Sequence, residues 1–215
     1  MTTPKTLFFL LFFLPFLFLS GCASDSNDQE NQTLADAAVM CIGVMPVKTG
    51  IDYENEPSFA GVKKLENGAE ALDLILRDTL RQLHGERDYR FISRYSAERL
   101  SQSGGSSPED ELLEAAGRVN CPAMLEVVIE KYSDRVGGRF SAQEPASAAF
   151  SYRLYDVTRK KILCHGRYDE TQQSLMENLY NLKKATNRGF VMITAEQLLE
   201  EGVKEKFDQC PYLSD

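Results

Sequence analysis

The sequence contains no tryptophan, and its 215 residues include only two histidines, His84 and His165. Cys-x-x-Cys, His-Glu-x-x-His, a Gly-x-Ser-x-Gly elbow, a phosphate-binding glycine loop and a dinucleotide fingerprint are all missing. These absences remove the common routes to metal, serine-hydrolase and nucleotide chemistry, and the two histidines do not stand at ligand spacing. Basic residues are also in the minority, 24 Lys and Arg against 32 Asp and Glu, for a net charge of −8. Nucleic acid and anionic lipid both require concentrated positive charge, so neither is expected as the main partner.

Long apolar runs are scarce too. The one present, from Leu7 to Leu19, follows Lys5 and ends on Ser20-Gly21-Cys22. As a helix it reaches only about 20 Å, short of the roughly 30 Å of a hydrocarbon core, and it reads as a secretory signal. Leu19-Ser20-Gly21-Cys22 resembles the lipobox of bacterial lipoproteins. That resemblance implies cleavage before Cys22 and a diacylglycerol and N-acyl lipid on it, with no other cofactor. Ala23 in the next position implies the outer membrane; the periplasm-facing side is expected, although the motif itself does not set the face. Several acyl chains, at about 0.8 kcal/mol per buried CH₂, hold a protein on a membrane essentially permanently.

The expected organisation is a signal peptide over 1–21, a lipidated flexible tether over 22–36, an α/β domain over 37–210 and a tail over 211–215. The tether is polar and acidic, cannot bury enough surface to fold, and spans about 50 Å extended or about 20 Å as a coil. Besides Cys22 there are Cys41, Cys121, Cys164 and Cys210. In an oxidising compartment four cysteines pair in one of three ways that sequence does not separate, or else some are simply small buried residues.

Apolar patterning predicts a buried strand over 39–47, then a long connection over 48–67 containing Tyr53 and Phe59. An amphipathic helix over 68–84 follows, carrying Leu72, Ile75, Leu76, Leu80 and Leu83 at helical spacing. A short strand lies over 89–93. Ser107, Pro108, Glu109 and Asp110 start a helix that runs to Val119, with Leu112, Leu113, Ala116 and Val119 as its buried stripe. Strands over 123–132, 148–157 and 162–168 form an antiparallel meander, with a second long connection over 133–147. A helix over 172–184 and a last one opened by the capping box Thr194-Ala195-Glu196-Gln197, with Gly202 as a weak point, complete a single mixed-sheet α/β domain.

Chemistry-bearing residues are few. Cys164 and His165 are neighbours on a strand, where side chains point to opposite faces, so they form no dyad. Asp169 and Glu170, placed just before the 172–184 helix, are either an acid and base or caps for orphan amides. Arg135 and Arg139 flank Gly137-Gly138 and either clamp a carboxylate or phosphate or tie their loop down, Arg135 through Asp134, Glu144 or Asp169.

The order strand, helix, strand, helix, three antiparallel strands, helix resembles a domain shared by three groups of proteins. These are the amino-terminal part of TolB, the curli-secretion lipoprotein CsgG and the lipoprotein activators of penicillin-binding proteins. Asp134 to Arg139, Pro145-Ala146-Ser147, Asp156-Val157 and the run from Tyr168 to Gln173 with Asn178-Leu179 resemble a pattern in envelope lipoproteins of no assigned function. The resemblance implies a non-enzymatic protein-binding or assembly module whose partner is another envelope protein or the protein itself. The two long connections supply Tyr53, Phe59, Arg135 and Arg139 as candidate contacts, with Glu170 beside them. The short turn at Arg159, Lys160 and Lys161 departs from the long hairpins a membrane pore needs. The alternative is a cell-wall glycan-binding protein or hydrolase using Arg135, Asp169 and Glu170.

Overall fold

A computed structural model describes residues 39–50, 58–83, 87–102, 107–138, 142–172 and 191–214. Strand β1, Cys41–Val44, is followed after Pro46 by the two-residue β2, Lys48–Thr49, and helix α1, Phe59–Gln82. Strand β3, Asp88–Phe91, leads to helices α2, Arg94–Gln102, and α3, Pro108–Val119. Then come β4, Ala123–Ser133, a small hairpin of β5, Val136–Gly137, and β6, Ala142–Glu144, and the long strands β7, Ser147–Asp156, and β8, Lys161–Thr171. Helix α4, Ala195–Phe207, closes the chain.

The main sheet runs β3-β1-β4-β7-β8, with β2 continuing along β4 beyond the end of β1. β1 pairs in parallel with both β3 and β4, whereas β4, β7 and β8 form the expected antiparallel meander. The chain leaves β1 in one direction to make β3 and then crosses back over it to make β4. Right-handed crossovers in opposite directions must use opposite faces of the sheet. Accordingly α1 and α4 cover one face around Leu72, Leu76, Leu125, Phe150 and Phe207, while α2 and α3 cover part of the other around Met45, Leu100, Leu112 and Met124.

Helix α1 begins nine residues before its expected start at Gly68, so most of the connection expected over 48–67 is not loop. Ser58 caps it, accepting a hydrogen bond from the Gly61 amide at 3.2 Å. At about 1.5 Å per residue its 24 residues span about 36 Å, the length of the 11-residue strand β4. Gly68 lies against the Tyr132 ring, where a Cβ would collide, and Lys64 Nζ reaches Ser133 Oγ at 3.4 Å at the end of β4. The first turn of α1 therefore overhangs the sheet.

Other elements also differ from expectation. The connection over 133–147 contains the β5–β6 hairpin, in which Gly137 has a φ of 110°, a conformation that favours glycine. β8 continues to Thr171, so Asp169 and Glu170 are strand residues and do not precede a helix. The helix expected over 172–184 falls almost wholly outside the described residues. In α3 the buried stripe is Leu112, Ala115 and Ala116, with Leu113 52% exposed. Gly202 is a close-packing site against the Tyr168 ring and not a weak point. Packing also continues past residue 210: Leu213 is buried, and Tyr89 Oη donates to the Tyr212 carbonyl at 3.5 Å.

All four domain cysteines pair. Cys41–Cys121 joins the start of β1 to the end of α3, and Cys164–Cys210 joins β8 to the turn after α4. His165, next to Cys164 in β8, stands opposite Arg153 of β7.

Candidate functional site

Of the expected contact residues, Phe59, Arg135 and Glu170 lie among the described residues. Cys22, Tyr53 and Arg139 lie outside the described residues. Phe59 is the first residue of α1 and is 88% exposed, on the overhanging turn. Arg135 sits between β4 and β5. Its Nη1 donates to the Gly137 carbonyl at 2.8 Å, while its own amide donates to Asp134 Oδ1 at 2.8 Å. Asp134 Oδ1 also accepts from the Ala195 amide at 3.1 Å, fastening the hairpin to the start of α4. Arg135 therefore holds its loop through a backbone carbonyl with its side chain and through Asp134 with its amide, and no ion pair joins it to Glu144 or Asp169 among the described residues.

The acid and base pairing of Asp169 and Glu170 is not assembled. As neighbours in β8 they face opposite sides of the sheet. Glu170 accepts a hydrogen bond from Tyr168 Oη at 3.1 Å. Asp169 accepts from Lys131 Nζ at 2.8 Å and from Arg167 Nη2 at 3.0 Å. The Lys131 hydrogen bond, aided by Arg167, holds its carboxyl below the usual carboxylate range although partial burial works the other way. A general acid needs the reverse shift.

The face of the sheet that α2 and α3 leave open is a lattice of ion pairs. Glu126 is only 5% exposed in the middle of β4, and it accepts from Arg153 Nε at 2.6 Å and from Lys48 Nζ at 3.1 Å. Lys48 also donates to Glu111 Oε2 of α3 at 3.0 Å. Burial disfavours the ammonium of Lys48, but the hydrogen bonds and fields of Glu111 and Glu126 outweigh it and raise the pKa. Farther along, Arg167 bridges Glu130 at 2.8 Å and Asp169. A bulge between Ile129 and Lys131 puts Lys131 on this same face, next to Asp169. The lattice joins β2, α3, β4, β7 and β8 and leaves its charges satisfied.

Beside Lys48 a groove of about 930 Å³ opens where β1 and β3 end. This is the switch point from which the chain departs in opposite directions, the place where open α/β sheets usually hold ligands. Its floor is the stretch from Pro46 to Thr49; one wall is α1, with Glu70, Asp73, Leu74 and Arg77, and the other is α2 and α3, with Arg94, Glu98 and Glu111. Asp73 serves the wall itself, accepting from the Val47 amide at 2.8 Å and pairing with Arg94 at 3.1 Å. The Arg77 guanidinium stacks 4.7 Å from the Phe91 ring centre. Sequence reasoning missed this groove. Its lining comes from β2 and from three helices far apart in the chain, and no local motif marks it.

Among the described residues, no group of three or more His, Cys, Asp and Glu is placed to hold a metal ion, and no helix is long and apolar enough to cross a membrane. No protein-family model and no curated protein matches the chain. It is similar to solved structures at low identity. A PelC dodecamer from Paraburkholderia phytofirmans is 14% identical with a TM-score of 0.44, covering 82% of this chain and 89% of that one. Lipoprotein GNA1162 from Neisseria meningitidis is 16% identical with a TM-score of 0.39, covering 70% and 94%. The LpoB C-terminal domain from Escherichia coli is 14% identical with a TM-score of 0.36, covering 63% and 84%.

Proposed function

We propose that this chain is a lipid-anchored protein of the bacterial outer membrane whose α/β domain acts as a protein-binding or assembly module of the cell envelope, without chemistry of its own. The observation that carries the reading is the polarity of the domain. The described chain enters at Val39, beside the start of β1, where the Asp88 amide bonds the Met40 carbonyl. Phe59, Arg135 and the exposed Val136 of the hairpin lie at the opposite end, roughly the length of β4 away. A domain tethered through its first strand presents that far end to a partner, and Phe59 and Val136 offer exposed apolar side chains there. The two disulfides fit an oxidising envelope compartment.

The test places a photo-crosslinking phenylalanine analogue at Phe59 and, separately, at Met40 near the entry end, in intact cells. A discrete adduct with one envelope protein from position 59 and not from position 40 is the expected result. Equal, diffuse adducts from both positions, or none from position 59, would sink the proposal.

A further inference from the structure

The groove at the switch point holds an unfinished strand edge. β2 pairs with β4 on one side, whereas on the other β3 stops at Phe91, level with Val44, and no described strand follows. The Val47 amide points to that open side and is capped by Asp73 Oδ1. Thr49, two residues on, faces the same way, and its outward amide has no partner among the described residues. Such an edge is a template for an extended chain.

The walls specify what that chain carries. Asp73 and Glu111 are already neutralised by Arg94 and Lys48. Glu70 of α1 and Glu98 of α2 line the groove from opposite sides and have no ion-pair partner among the described residues. One turn from Glu70 on α1, Leu74 is 59% exposed, an apolar surface on which an aliphatic stem can lie. Backbone edge, apolar step and two unpaired carboxylates together match an extended peptide bearing lysine or arginine. We infer that the groove takes an extended, basic segment of the partner protein, laid along β2 with its cationic side chains between Glu70 and Glu98. The inference rests on the protein-binding reading above and adds the recognition surface and the chemistry of what it recognises.

The experiment uses the full-length lipoprotein in detergent micelles and a fluorescein-labelled decapeptide of alternating lysine and threonine. Binding is expected to fall about tenfold or more in the Glu70→Gln/Glu98→Gln variant, and to be unchanged in a Glu109→Gln/Glu114→Gln control on α3. The matching glutamate–threonine decapeptide is expected not to bind. Equal weakening by the control pair, or no binding of the lysine peptide to the wild type, overturns the inference. In cells, a photo-crosslinker at Leu74 is expected to label a basic, extended stretch of the partner; an adduct to lipid, to a small polyamine, to an acidic or helical segment, or to a second copy overturns it. Adducts from position 59 without any from position 74 would remove the groove and leave the module standing.

Discussion

Glu126 shows how one buried charge is made tolerable. A carboxylate taken from water into a sheet costs several kcal/mol unless it is paired and hydrogen-bonded. Here two cations reach it from the two neighbouring strands, and each keeps about two fifths of its own side chain in solvent. The pairing makes the charge bearable without making it a large stabilising term, and it links β2, β4 and β7. Asp169 is the wetter case, with 35% of its side chain exposed. Its folded-state pKa is lowered, so its contribution is present above the unfolded value of about 3.9 and is lost as pH falls through the folded value. Screening keeps that contribution below about 1 kcal/mol. Asp169→Asn should therefore lower the urea midpoint slightly at pH 7, and the gap from wild type should close as pH drops below about 4. A gap that stayed constant down to pH 2 would assign the effect to something other than these ion pairs.

At the scale of elements, α1 is two helices in energetic terms. Its last four turns bury Leu72, Ile75, Leu76 and Leu80 against the sheet, while its first turn hangs past the sheet end with Phe59 in water. Leu72→Ala should cost about 2–5 kcal/mol, as large-to-small changes in a closed core do, whereas Phe59→Ala should stay within about 0.5 kcal/mol. Chemical denaturation of both variants measures the contrast; a large loss from Phe59→Ala would mean that the overhanging turn is packed. The division also explains why the start of α1 was not legible. Helical periodicity in a sequence records a face that is buried, and residues 58–64 bury no side chain fully, so only the Ser58 cap marked the beginning. The reach of β8 was hidden for a related reason. Its charged end is held by cross-strand partners such as Lys131, and no local pattern announces them.

The whole molecule is stapled by two disulfides. Cys41–Cys121 closes a separation of 80 residues and Cys164–Cys210 one of 46. In the chain-entropy view each removes about 4 kcal/mol of freedom from the unfolded state. Reduction under native conditions should thus lower the unfolding midpoint sharply, with the single pair variants Cys41→Ser/Cys121→Ser and Cys164→Ser/Cys210→Ser each showing roughly half the loss. A reduced protein as stable as the oxidised one would show that the bridges are incidental to the fold.

The amino-acid sequence by itself determined the class of the fold, the three antiparallel strands and the caps at Ser107 and Thr194. All of these are encoded within a few neighbouring residues, by alternation, spacing or a capping side chain. It also carried the stretch from Leu19 to Cys22 that resembles a lipobox. Only the tertiary structure decided which cysteines meet, that Glu126 is shared by Lys48 and Arg153, that Asp169 and Glu170 look away from each other, and that a groove with an open strand edge lies where the chain reverses direction across the sheet. Those features depend on contacts between residues far apart in the chain, and such contacts exist only once the crossovers have placed the strands in order.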